Sequence, residues 1–483
     1  MEERIRKLQE LFPECVTEVL NSRGQMEHAI DFNKLRFCLG AQPEEDQERY
    51  EFTWVGKKAA YMESMRPADT ALQPLQEKSL HWDDTANLYI EGDNLEALKL
   101  LQEKYAGSIK VIYIDPPYNT GSDFIYSDRF SKASRDIGRN SGRFHSDWCS
   151  MIYTRLLLAR NLLTEDGAIF ISIDDNEVEN LKKICNEVFG EQHFVGQWNW
   201  YKSATPPNLS RKIKKNVEYI LCYEKQRSPV KYKGLKKKSP SSNGLLNQTN
   251  RVSVLAFPAN VVVTGLSDGI YPAGRYGTDR YEIHLLDDVS VRDGVFTNAF
   301  RLQAKFKWGQ EKLLREIGNG TRIAIRTATF SPSYEKTDYD PEVPPNLINR
   351  SVHVNTTEEA GKQLTALFDG LKVFDYPKPV DLISYLINFL CGEEDIVMDF
   401  FSGSATTAHA VMLTNALQHM HRTFIMVQLP EAIDESSAVY QAGYQTICDI
   451  GEERIRRAGK KIRERYPEAE VDTGFRVYRV ATP

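Results

Sequence analysis

The feature that most constrains the fold is a series of short apolar runs, each bounded by turn signals. Val111-Ile112-Tyr113-Ile114, Ala168 to Ile173, Ile396 to Phe400 and Phe424 to Leu429 carry almost no polar side chains. Runs of this length and composition read as strands buried on both faces. Helical spacing recurs between them, in Leu95, Leu98 and Leu101, in Met151, Ile152, Leu156 and Leu162, and in Ile383, Leu386, Ile387 and Leu390. Further helices are predicted over 176–189, 408–416 and 447–462, and strands at Leu88-Tyr89-Ile90 and Tyr219 to Tyr223. Strand, helix, strand in this rhythm predicts an α/β fold with a doubly wound, mostly parallel sheet.

At 483 residues the chain exceeds one ordinary core. Residues 1–80 open with one apolar helical face (Ile5, Leu8, Leu11, Phe12) and a strand-like alternation over 50–55, and form an N-terminal accessory region. The α/β pattern occupies 81–225, lapses into short β-like pieces and turns over 226–372, and resumes over 373–483. The middle segment is therefore an expected insert. Asn94 is expected to cap the helix that follows Leu88 to Ile90.

No apolar run approaches the roughly 20 residues that span a bilayer, so a cytoplasmic location is expected. Seven cysteines without a Cys-x-x-Cys pair and nine histidines without ligand spacing suggest no metal. The net charge of -6 hides a basic run: Arg211 to Lys238 holds eleven Lys or Arg against two Glu. A second basic and aromatic cluster, Arg301, Lys305, Phe306, Lys307 and Trp308, lies inside the insert.

In open parallel sheets, ligands gather beyond the carboxyl ends of the strands. Four such ends carry polar loops here. Asp115-Pro116-Pro117-Tyr118 follows Ile114, and Phe401-Ser402-Gly403-Ser404-Ala405-Thr406 follows Phe400. Pro430-Glu431 follows Leu429. Glu91-Gly92-Asp93 follows Ile90, where Asp93 either faces a ligand or caps a helix.

Taken jointly, Ile90-Glu91-Gly92-Asp93-Asn94-Leu95, the Asp115 loop, Tyr376-Pro377-Lys378-Pro379 and Asp399 to Thr407 resemble DNA adenine-N6 methyltransferases of the β arrangement. In these the catalytic loop precedes the recognition insert and the cofactor loop follows it, a permuted motif order. The nearest resemblance is to modification subunits of Type III restriction-modification systems. It implies S-adenosylmethionine as methyl donor, duplex DNA as substrate, a separate restriction subunit as partner and a homodimer. It assigns residues 226–372 to target recognition, helped by the basic run. Asp115, Pro116, Pro117 and Tyr118 become catalytic residues. Asp93, Lys378, Asp399, Phe401, Gly403, Ser404, Thr406 and Glu431 become cofactor residues. Ala405 stands where many members have glycine.

Chemistry agrees with this assignment. The N6 lone pair of adenine is delocalised into the ring, so the amine attacks only when acceptors draw its hydrogens and stabilise the developing positive charge. Asp115 and the Pro116 carbonyl are expected to be those acceptors, with Tyr118 stacked on an extruded base. The competing readings are a cytosine-N4 methyltransferase, whose loop usually begins with serine, a glutamine methyltransferase, whose loop begins with asparagine, and a non-catalytic recognition subunit.

Overall fold

The computed structural model describes residues 51–120, 142–205, 212–235, 243–336 and 341–482, with Leu8, 11–12, 15–20, 26–31 and Leu35 of the N-terminal stretch. The polar segment 121–141 and the acidic loop at Gln42 to Asp46 lie outside the described residues.

The chain divides into two compact units, residues 1–232 with 345–483, and Lys233–Pro344. The first is built on a ten-stranded sheet. In chain order its strands are β1 (Ala71–Pro74), β2 (Leu88–Glu91), β3 (Ile109–Ile114), β4 (Leu163–Ile173), β5 (Phe194–Tyr201), β6 (Val217–Glu224), β7 (Leu347–Ile348), β8 (Ile396–Asp399), β9 (Thr423–Gln428) and β10 (Arg476–Ala481). The spatial order is β7-β5-β6-β4-β3-β8-β9-β2-β10-β1. The run from β4 through β3, β8, β9 and β2 to β10 is parallel throughout; β6 pairs antiparallel with both β4 and β5, and β1 antiparallel with β10. The predicted α/β class and mostly parallel sheet are thus present.

Helices α1 (Lys57–Met65), α2 (Asn94–Tyr105), α3 (Gly142–Leu162) and α4 (Val178–Phe189) supply one core face. There Leu98, Trp148, Leu156 and Leu181 cluster with the alternate strand residues Ile112, Ile114, Ile169, Ile171, Ile425 and Val427. Phe170 points the other way and meets Phe389 at 5.9 Å, just beyond α6 (Val380–Ile387). With α5 (Thr357–Leu367), α7 (Thr406–Gln418) and α8 (Ile447–Arg465), this second group of helices completes the double winding.

Some predicted elements differ. Residues 51–54 are irregular rather than a strand; Phe52 and Trp54 are held by packing, with the Trp54 indole donating to Ser150 Oγ at 2.9 Å. Asp93, not Asn94, caps α2, accepting from the backbone N–H of Leu95 and of Glu96. β5 was not predicted, although Trp198 and Trp200 alternate with Gln197 and Asn199.

The second unit has its own aromatic core, which includes Phe257, Phe296, Phe300, Trp308 and Phe330. It contains a four-stranded and a seven-stranded sheet and the helix Gln310–Gly318. Asp293 and Gly294, at φ of 51° and 73°, make the tight turn that joins Val289–Arg292 to Val295–Phe296. The unit is narrower than the expected 226–372 insert, because α5 and its flanks belong to the first unit. Phe306 and Trp308 are buried here, so the aromatic half of the second basic cluster is core, and Arg301 of its charged half is paired with Asp287 at 2.8 Å.

Candidate active site

The parallel strands end side by side, and the loops leaving β3, β8 and β9 line one pocket. Asp93, Lys378, Asp399, Phe401, Gly403, Ser404, Thr406 and Glu431 all line it, together with Asp115 and Pro117. Pro116 and Tyr118 line a second pocket, with Lys202, Glu218 and residues of α5. Asp115, Tyr376 and Lys378 border both, so the wall between the pockets is built on the acid that follows β3.

The Asp115 loop is held from several sides. The Trp148 indole donates to the Pro117 carbonyl at 2.7 Å. Asn119 adopts φ 58° and its side-chain amide donates to Glu177 at 2.6 Å. These bonds add to the φ restriction of two consecutive prolines.

Asp115, Lys378, Glu218 and Lys202 form a chain of four charged side chains. Lys378 Nζ lies 2.8 Å from Asp115 Oδ2 and 3.4 Å from Glu218 Oε2. Lys202 Nζ donates to Glu218 Oε1 at 2.8 Å. The Tyr118 hydroxyl bridges the two acids, 2.9 Å from Asp115 Oδ1 and 3.1 Å from Glu218 Oε2. Lys378 also donates to that hydroxyl at 2.9 Å and lies 5.0 Å from the centre of the Tyr118 ring. Burial holds the Asp115 carboxyl above its usual range despite the opposing charge of Lys378. At Glu218 burial is overcome by Lys378 and Lys202, and its carboxyl sits below the usual range. Lys378 is itself raised: burial would lower it, but Asp115 and Glu218 prevail. The structure therefore sets Lys378 on Asp115, at the wall between the two pockets.

The other pocket wall is the turn from β8 into α7. Gly403, at φ 50°, has the left-handed backbone that favours glycine, and its N–H donates to Gln428 Oε1 at 2.7 Å. Ala405 takes the same region at φ 59° without being glycine. Asp399 is buried, accepting from Phe401 N–H at 3.0 Å and Thr407 Oγ1 at 2.6 Å; burial pushes its pKa up to about 7. The hydroxyls of Ser404 and Thr406 accept from Arg454 Nη1 at 2.8 and 2.6 Å. A buried arginine on α8 thus braces both hydroxyls. Asp93 is both cap and pocket residue, and pairs with Arg155 at 3.3 Å. Asn94, directly after it, ties the two halves together by donating to the Phe400 carbonyl at 2.7 Å.

Sequence reasoning missed Glu218, Lys202, Trp148, Arg155, Gln428 and Arg454. Gln428 had a usable signal, since it ends a buried strand two residues before Pro430. Glu218 had none, being one of two acids inside the basic run.

Comparison with known proteins gives the family. Residues 109–438 match the N6/N4 family model described as DNA methylase. The chain is 33% identical to the Type III restriction-modification enzyme StyLTI Mod subunit of Salmonella typhimurium, over 99% of this chain and 74% of that one. It is 32% identical to the EcoP15I Mod subunit of Escherichia coli, over 97% and 76%. Among solved structures, the cytosine-N4-specific PvuII DNA methyltransferase shares 14% identity and a TM-score of 0.38, over 80% of this chain and 94% of its own. With a match that runs from β3 past β9 and takes in the Asp115 loop and the glycine turn, the chain belongs to the N6/N4 DNA methylase family, with the modification subunits of Type III restriction-modification enzymes.

Proposed function

We propose that this DNA methyltransferase moves a methyl group from S-adenosylmethionine to N6 of an adenine turned out of duplex DNA. The observation that carries the reading is the shared wall: Asp115 borders both pockets, as an acceptor between a methyl donor and a target base must. The first pocket suits the donor. Gly403 keeps a side chain out of the turn beside Phe374, Asp93 and Glu431 offer carboxylates to an amine or ribose hydroxyls, and Phe401 offers an apolar wall. When bound, S-adenosylmethionine supplies an electrophilic methyl on a sulfonium.

The chain's own residues do the rest by positioning. Asp115 and the Pro116 carbonyl accept the two N6 hydrogens and stabilise the charge that develops on nitrogen. Tyr118 forms a face of the base pocket, and stacking of roughly 1–3 kcal/mol offsets part of the cost of extrusion. An aspartate at the head of the loop favours adenine over cytosine. The unit Lys233–Pro344 and the basic residues before it supply phosphate contacts and base readout. The protein works as a homodimer in the cytoplasm with a separate restriction subunit. No helix among the described residues is long and apolar enough to cross a membrane.

The test is incubation of unmodified genomic DNA with the full chain and methyl-labelled S-adenosylmethionine, followed by digestion to nucleosides. Label is expected in N6-methyladenine; label in N4-methylcytosine, or none, overturns the reading. Asp115→Ala is expected to cut transfer by at least roughly 100-fold while cofactor binding persists.

A further inference from the structure

Both oxygens of the Asp115 carboxylate are engaged in this structure. Oδ1 accepts from the Tyr118 hydroxyl at 2.9 Å and Oδ2 from Lys378 at 2.8 Å. A carboxylate capped in this way cannot take a hydrogen from an incoming amine with full strength. The ammonium on it would also repel the positive charge that grows on the attacked nitrogen, in a site where screening is weak. Each oxygen keeps a second lone pair, so it is the ammonium charge and not a lack of acceptor sites that makes the Lys378 contact the one to give way. Glu218 offers an alternative, because its Oε2 already lies 3.4 Å from Lys378 and 3.1 Å from the Tyr118 hydroxyl. Lys202 on the other Glu218 oxygen keeps that acid ionised and the group of four charges neutral.

We infer that Glu218 is a positioning residue, which takes Lys378 from Asp115 as the target amine enters and so uncaps the catalytic carboxylate. The inference rests on the adenine reading above. The exchange makes and breaks hydrogen bonds only: Lys378 closes on Glu218 Oε2, and Asp115 Oδ2 is released to an N6 hydrogen. Without the Glu218 charge the group carries one excess positive charge, and among the described residues Asp115 is the one carboxylate left within reach of Lys378. Removing Lys378 as well restores neutrality and clears the cap.

The experiment compares wild type, Glu218→Gln and the double variant Glu218→Gln/Lys378→Met as full chains. Each is given unmodified genomic DNA and labelled S-adenosylmethionine, and single-turnover transfer and cofactor dissociation constants are read. Glu218→Gln is expected to slow transfer roughly 100-fold with cofactor affinity unchanged, and the double variant to be several-fold faster than Glu218→Gln. Because removal of the excess buried charge can also restabilise the chain, a urea unfolding midpoint is read for each variant: a lost seat slows transfer by Glu218→Gln while its midpoint stays near that of wild type, and a slowed rate that tracks a lowered midpoint overturns the inference. Transfer by Glu218→Gln at the wild-type rate, or a double variant no faster than the single one, overturns the inference while leaving the adenine reading intact. Wild type that labels no adenine overturns both.

Discussion

The indole N–H of Trp148 donates to the carbonyl of Pro117 at 2.7 Å, linking the first turns of α3 to the loop that carries Asp115. Trp148→Phe keeps most of the buried ring and deletes this bond, leaving a carbonyl short of a partner. The expected cost is about 1–3 kcal/mol in a urea titration. Transfer should fall more than cofactor affinity, because the loop is one wall among several of the first pocket but carries Asp115 itself; equal losses would contradict this placement.

Asp399 makes stability depend on pH. Its folded pKa, pushed up to about 7 by burial, lies above the usual carboxylate value of about 4. The folded state thus holds the proton more tightly than the unfolded chain. Stability from this group is full below pH of about 4 and is lost as pH rises towards about 7, at up to ~1.4 kcal/mol per pH unit. Asp399→Asn removes the titration. Relative to wild type, its unfolding midpoint should rise between pH 5 and pH 8, and parallel pH profiles would refute the assignment.

Asp93 serves two ends that substitution can separate. Asparagine keeps an oxygen able to cap α2 but not the charge that Arg155 pairs with, so Asp93→Asn should cost less than Asp93→Ala, which also loses about 1 kcal/mol of capping. Both should weaken S-adenosylmethionine binding in calorimetry if the carboxylate meets the cofactor. Unchanged binding by Asp93→Asn would reduce the residue to a cap.

Arg454 is buried against the hydroxyls of Ser404 and Thr406, and among the described residues no carboxylate pairs with it. Burial brings its pKa down to about 9, the mark of a charge that the fold holds at a cost. Arg454→Met is therefore expected to leave the unfolding midpoint unchanged or raised. Cofactor affinity should fall roughly 10-fold, or ~1.4 kcal/mol, as the turn loses its brace. A lower midpoint with unaltered affinity would reverse this account.

What could be read from the sequence follows from how local its signals are. β3, β8 and β9 announced themselves because burial on both faces leaves little room for polar residues, and the turns after them had to carry the chemistry. Asp115 and Gly403 stand out that way, and both line the first pocket. Glu218 was hidden because its meaning depends on Lys378, far along the chain, and because its neighbours made the stretch look like a solvated basic loop. Lys378 was found but its partner was not, for the same reason. Phe306 and Trp308 misled in the opposite sense: aromatic residues among lysines suit nucleic acid, but here they fill a small core. The cap was misplaced by one residue, where Asp93 and Asn94 are both good capping types and only geometry chooses between them.

The central register of the first unit has a consequence for how the protein is made. Val111 pairs with Val397 and Ile112 with Met398, so the strand that launches the Asp115 loop gains its inner neighbour only after the insert has been translated. Until then one edge of β3 is an apolar template without a mate, in a chain growing at about 5–20 residues per second. An independently cored insert can fold during that wait. The enzyme is therefore expected to acquire its active site late in synthesis, in a single long-range closure.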